Sequence, residues 1–232
     1  MTLRKRTAIA VASVSLIALS MAARPAMAAG STFINDSFSG TWTVLDQTSA
    51  GERDFVTFSN YDVTGDVIVD TGLGGGSGPT HQNTDAFELT SGSLINGDLI
   101  VDTGVSATAN ITITGVAAGV STDVHGILVD DGQINGAIVN NGTIGALALL
   151  SDHGDAYADA WGILVDSGTD PSAINHGLVE ATAQASGYDT AIARAFGIAQ
   201  LASGTSEQAS VYSDGTITAE ATARSLAGDT DT

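Results

Sequence analysis

The chain has no cysteine among its 232 residues. Disulfide stapling, the usual support of small secreted domains, is therefore excluded. Basic residues are nearly absent too: Lys and Arg total 7 against 26 acids. Four of the seven (Arg4, Lys5, Arg6, Arg24) lie in the first 28 residues, and no lysine follows them. The remaining segment carries only Arg53, Arg194 and Arg224, a net charge of 3 − 26 = −23. Such a field repels phosphate backbones and anionic lipid, and nothing basic is clustered to offset it, so nucleic acid and anionic membranes are poor partners. Aromatics are 5 % and prolines 3. After residue 28 no apolar run is long enough to span a bilayer as a helix.

High charge with few aromatics can mean disorder. Here a hydrophobic content of 43 %, regularly spaced, argues for a folded chain. The N-terminus reads as a secretory signal: a basic Arg4-Lys5-Arg6, an apolar "TAIAVASVSLIALSMAA", and Ala26-Met27-Ala28 as a small-x-small cleavage site. Cleavage is expected after Ala28, which makes residues 1–28 a signal peptide and places the protein outside the cytoplasm.

The rest is a repeat. Gly-Ile pairs begin at Gly126, Gly162 and Gly197, and turn dipeptides follow at Asn141-Gly142, His176-Gly177 and Asp214-Gly215. Between them the apolar period is two. Ile217, Ala219, Ala221 and Ala223 share one face, and Thr218, Glu220, Thr222 and Arg224 share the other. That is a half-buried strand. Alanine leads the helix scale. The interleaved Thr, Ile and Val and the recurrent glycines nevertheless favour strands. Alanine faces bury little area, so each strand needs a neighbour above and below, as stacked repeats provide. The expected fold is all-β: a right-handed parallel β-helix with repeats of about 35 residues over 61–232. The aromatic stretch 29–60, with Phe33, Phe38, Trp42, Phe55 and Phe58, reads as its N-terminal cap. "GLGGGSGPTHQNTD" reads as a loop. The last residues, "SLAGDTDT", match the start of another unit, so truncation in mid-repeat is expected.

The segments "GILVDDGQINGAIVNNGTIGALAL", "GILVDSGTDPSAINHGLVEATAQA" and "GIAQLASGTSEQASVYSDGTITAEATA" resemble the passenger regions of bacterial autotransporters, the type V secreted proteins. The likeness is one of repeat pattern and covers about residues 61–232. It implies a β-helix exported across two membranes to the outer surface. It also implies a C-terminal β-barrel translocator, expected beyond Thr232. Passengers of this kind act as adhesins, enzymes or surface coats, so the fold alone does not fix the activity.

Chemistry was sought in the motifs. "DVIVDTG" (66–72) and "DLIVDTG" (98–104) resemble the catalytic loop of pepsin-like aspartic proteases. A shared-proton dyad needs two loops from separate lobes. These are 32 residues apart (66 to 98), and Leu73 and Val105 stand where a serine or alanine follows in that family. The series also continues as "ILVDDG", "ILVDSG" and "AQLASG", ending at Gly132, Gly168 and Gly204, with Ala202 in place of the aspartate. A turn position tolerates such drift and a catalytic one does not. Stacked in register, Asp70, Asp102, Asp130 and Asp166 would form one ladder at about 4.8 Å. In bulk water each pair would repel by about 0.9 kcal/mol. These four are the candidate calcium ligands, since calcium takes carboxylates and turn carbonyls. The favoured reading is a solvated acidic edge, as no EF-hand or calcium nonapeptide is present. His153 beside Asp152, Asp155 and Asp159 is a lesser cation candidate; His81, His125 and His176 are scattered.

The expected function is that of a secreted or outer-surface passenger, structural or adhesive and non-catalytic, with no catalytic residue, no cofactor and an unidentified surface ligand. The alternative is a β-helix polysaccharide hydrolase or lyase.

Overall fold

The computed structural model describes residues 31–44, 56–70, 73–75, 83–116, 120–166, 171–201 and 210–225. The signal segment, Phe55, His81, Ala202 and the final residues from 226 on lie outside these. The described residues form strands and turns without a helix, wound as a parallel β-solenoid. Three sheets make its walls. Sheet A has eight strands, six of them long: Ser31–Phe38, Val56–Val63, Asn83–Leu89, Val120–Val129, Ala156–Val165 and Ala191–Gln200. Its two short strands are Leu94–Ile95 and Gln133–Ile134. Sheet B stacks six: Trp42–Val44, Val67–Val69, Leu99–Val101, Ala137–Asn140, Ser172–Asn175 and Val211–Ser213. Sheet C stacks five: Leu73–Gly75, Ser106–Val116, Thr143–Asp152, Leu178–Gly187 and Thr216–Ser225.

The period of two decides which side chains face the interior. In Leu178–Gly187, for example, Val179, Ala181, Ala183 and Ala185 are buried while Glu180 and Gln184 are exposed. Each inward residue stacks on the matching residue of the next coil, as in Ala148 on Ala183 and Ala183 on Ala221. Strand-to-strand hydrogen bonds therefore run along the axis and the core is one continuous column.

Coil length is not constant. Trp42 pairs with Val67, 25 residues on (42 to 67), and Val67 with Leu99, 32 on (67 to 99). Later steps are 39 (99 to 138), 35 (138 to 173) and 38 (173 to 211). The repeat of about 35 thus describes the later coils only. Strands of the expected cap continue the same sheets: Ser31–Phe38 pairs parallel with Val56–Val63, and Trp42–Val44 with Val67–Val69. What distinguishes this end is its filling. Phe38, Trp42, Phe58, Tyr61 and Phe87 form a chain of ring contacts with centroids 5.2–5.6 Å apart. Trp42 is only 2 % exposed.

Two local devices bend the coil. At the Gly-Ile pairs the alternation slips: Val124 and Ile127 both face inward, as do Ala160 and Ile163. Glycine is required there. A Cβ on Gly162 would meet the Gly197 carbonyl oxygen and Val179 Cγ1, both at 2.5 Å. The second device is a column of left-handed residues, Asn60 (φ 51°), Gly92 (φ 78°) and Asp131 (φ 56°). The pairings of Asp62 with Leu94 and of Gln133 with Leu94 bring all three to one corner. Asn, Gly and Asp are the residues that tolerate this conformation.

Candidate functional site

The four candidate calcium ligands do not form one ladder. Asp70 and Asp102 follow the paired Val69 and Val101 at the end of sheet B, where Asp102 N donates to Val69 O at 2.9 Å. Asp130 and Asp166 follow the paired Val129 and Val165 at the end of sheet A, where Asp166 N donates to Val129 O at 2.9 Å. The single column of four is therefore corrected to two pairs at different corners. The cause is the unequal coil: the residue stacked below Val101 is Asn140, which puts Asn141, not Asp130, next to Asp102. The place after Asp166 is also corrected. Leu201 occupies it, donating to Val165 O at 2.8 Å, one residue before the expected Ala202. All four aspartates are exposed, and no group of three or more His, Cys, Asp or Glu suited to a metal occurs among the described residues.

Asp102 Oδ1 accepts only from the adjacent Thr103 N, at 2.6 Å, whereas the first carboxylates in those motifs reach across coils. Asp66 Oδ1 accepts from Asp98 N at 3.0 Å, and Asp98 Oδ1 accepts from Ala137 N at 2.8 Å, so each ties its coil to the next. Asp152 is similarly engaged. It is 4 % exposed and accepts from His153 N at 2.5 Å and Val120 N at 3.3 Å. Asp152 is thus committed to the turn that carries His153.

The densest cluster of functional groups lies elsewhere, on the outer face of sheet A. Asp85 pairs with His125, His125 with Trp161, and Trp161 with Phe196, one residue from each of four successive coils. Beside that column, Asp123 pairs with Asp159, and Asp159 with Arg194. His125 Nδ1 lies 2.6 Å from Asp85 Oδ1, and its Nε2 lies 3.4 Å from Asp123 Oδ1. Trp161 Nε1 donates to the same Asp123 oxygen at 2.9 Å. The rings are stacked and nearly parallel: His125 and Trp161 are 6.4 Å apart at 19°, Trp161 and Phe196 4.1 Å apart at 11°. Arg194 grips Asp159 with two hydrogen bonds, through Nε at 2.8 Å and through Nη2.

The electrostatics follow from packing. Burial opposes charge on His125, but the Asp85 hydrogen bond and the Asp123, Asp85 and Glu88 carboxylates outweigh it, and the pKa rises above 6.5. Burial raises Asp123 above 3.8 and Asp159 adds to this, while His125 and the Trp161 hydrogen bond pull the other way. Burial also raises Glu88, reinforced by Asp85 and Asp130. When protonated, the ring lies between carboxylates that act as its internal counter-ions. At 5 % exposure it cannot reach a substrate. The accessible parts are Arg194 and Asp123, with 59 % and 41 % of their side chains exposed, and Phe196 at 39 %.

Motif reasoning passed over this cluster, although a signal was present. The residue before each Gly-Ile pair is a ring: His125, Trp161 and Phe196. A repeat that keeps a planar side chain at one outward position announces a stacked column. No protein-family model matches this chain, and neither does any curated protein or any solved structure.

Proposed function

We propose that the protein is a secreted or outer-surface passenger with a structural or adhesive role and no catalytic activity. It would be exported by residues 1–28 and held at the surface by a translocator barrel of the kind the autotransporter resemblance implies. The observation that carries this reading is the parallel solenoid formed by the described residues. Every coil presents its outward residues on a rigid wall, and those residues differ from coil to coil. Rigid periodic presentation suits contact with an extended surface. The acidic balance suits solubility outside the cell and gives no purchase on nucleic acid or anionic lipid.

The second reading, a polysaccharide hydrolase or lyase, is favoured by one observation. Asp123 and Glu88, both with raised pKa, share a wall with the Trp161–Phe196 stack. Carboxylates of raised pKa beside rings are what sugar cleavage uses. Two measurements test the choice. Intact bacteria producing the full-length gene product are probed with protease and antibody, and the purified chain is assayed for release of sugar reducing ends. Surface exposure without sugar release is expected. Turnover abolished by Asp123→Asn would replace this proposal with the enzymatic one.

A further inference from the structure

A groove of about 360 Å³ crosses the outer face of sheet C. That volume lies within the range of ligand sites. Two rows of outward side chains form its floor. One contains Leu149 and Gln184, which pair directly. The other runs Thr114, Ser151, Ser186 and Arg224, each paired with the next across four coils. Three hydroxyls at about 4.8 Å intervals therefore lead to one guanidinium. No acidic residue lines the groove, although the chain carries 26 acids. Among the described residues no salt bridge engages Arg224.

We propose that this groove binds an acidic oligosaccharide, with Arg224 taking a uronate carboxylate. Hydroxyls and an amide both donate and accept, as sugar hydroxyls do. Leu149 offers an apolar patch to the C–H face of a ring. The spacing of the row is on the scale of one hexose unit. A guanidinium matches a carboxylate bidentately. A peptide strand is the weaker occupant. The backbone of Ser106–Val116, Thr143–Asp152 and Leu178–Gly187 is paired to neighbouring coils, which closes the floor to strand addition. The cluster around His125 lies on a different sheet, so this site is separate from the one described above.

The inference deepens the adhesive reading by naming a ligand class, and it is tested apart from it. The purified chain is titrated calorimetrically with a galacturonate hexamer, with the neutral methyl-esterified hexamer and with a poly-glutamate peptide. Saturable binding of the galacturonate hexamer alone is expected. Arg224→Gln should weaken it about tenfold or more, at unchanged melting temperature. Ser186→Phe, which fills the groove, should abolish it; should that variant fail to fold, the exposed Arg224→Gln decides. No saturable heat with the acidic hexamer overturns the proposal. Equal affinity for the neutral hexamer, preference for poly-glutamate, or unchanged binding by Arg224→Gln would each do the same. Surface exposure on intact cells is read independently, so a silent groove leaves the passenger reading standing.

Discussion

Asn140→Ala should be among the most damaging single substitutions in the solenoid. Asn140 ends a sheet B strand and is 0 % exposed. Its Nδ2 donates to Asn175 Oδ1 at 2.8 Å and to Leu178 O at 3.0 Å, and its Oδ1 accepts from Gly142 N at 3.1 Å. Asn175 repeats the pattern one coil on, donating to Ser213 Oγ at 3.1 Å and Thr216 O at 3.2 Å. The pair pins the turn between sheets B and C in successive coils. Alanine removes three hydrogen bonds, each worth about 1 kcal/mol net. It also strands the buried Asn175 Oδ1, which adds about 1–2 kcal/mol. The expected loss is about 4 kcal/mol. The control is Asn135→Ala. Its Nδ2 donates to Asn96 Oδ1 at 2.7 Å, but on the exposed side, where water replaces the lost partner. It should cost about 0.5 kcal/mol. Urea denaturation compares the two, and amide exchange at Gly142 locates the damage. An Asn140→Ala loss under about 1 kcal/mol, or an equal loss in Asn135→Ala, would refute the reasoning about buried amides.

Three further outcomes are expected. The pKa of His125 is raised on folding, so its contribution is full below 6.5 and is lost as pH climbs through the higher folded value. Asp123 and Glu88 are raised too, so their protonated forms favour the fold and their effect has the same sign at lower pH. Melting temperature should thus fall on raising pH above 6.5, and His125→Gln should flatten that slope; an unaltered slope would contradict the counter-ion role. Gly162→Ala should destabilise by about 2–4 kcal/mol because backbone oxygen blocks its Cβ. Gly145→Ala meets only Thr108 and Glu180 side-chain atoms at 3.1–3.4 Å, and should be neutral or stabilise by about 0.5 kcal/mol in the same melts. Calcium added to the purified chain should give no heat and no melting shift, because the four aspartates sit in two exposed pairs; saturable heat lost in Asp102→Asn would reverse this.

The strands were legible because period-two burial acts over a few neighbouring residues. The turns at Asn141-Gly142, His176-Gly177 and Asp214-Gly215 were legible because glycine there stacks on glycine. A Cβ on Gly177 would meet the Gly142 carbonyl oxygen at 2.0 Å. The Gly-Ile pairs were found as a period, but their cause needed the structure: the kink where Val124 and Ile127 face the same way. The aspartate column was misread because "VDTG" and "VDDG" end similar strands on different walls. The step between their glycines, 28 residues (104 to 132), is shorter than any neighbouring coil, and that shortfall marked the change of wall. The Asp85–His125 contact spans 40 residues and crosses an irregular connection, so no local pattern could place it. The groove was equally hidden, since four residues on four coils become neighbours only through register.

The interior changes character along the axis. Rings of Phe58, Phe87, Trp42 and Tyr61 fill the early coils, while Ala156, Ala158, Ala181 and Ala183 fill the later ones. At about 25 cal/mol per Å² the ring-filled coils gain far more from burial than the alanine-filled ones. Coils contact only their neighbours, so this gradient is not averaged over the molecule. The rod accordingly has a melting polarity. Opening should begin in the alanine-filled coils and advance coil by coil, and the ring-filled coils should be both the last to come apart and the seed on which the others assemble.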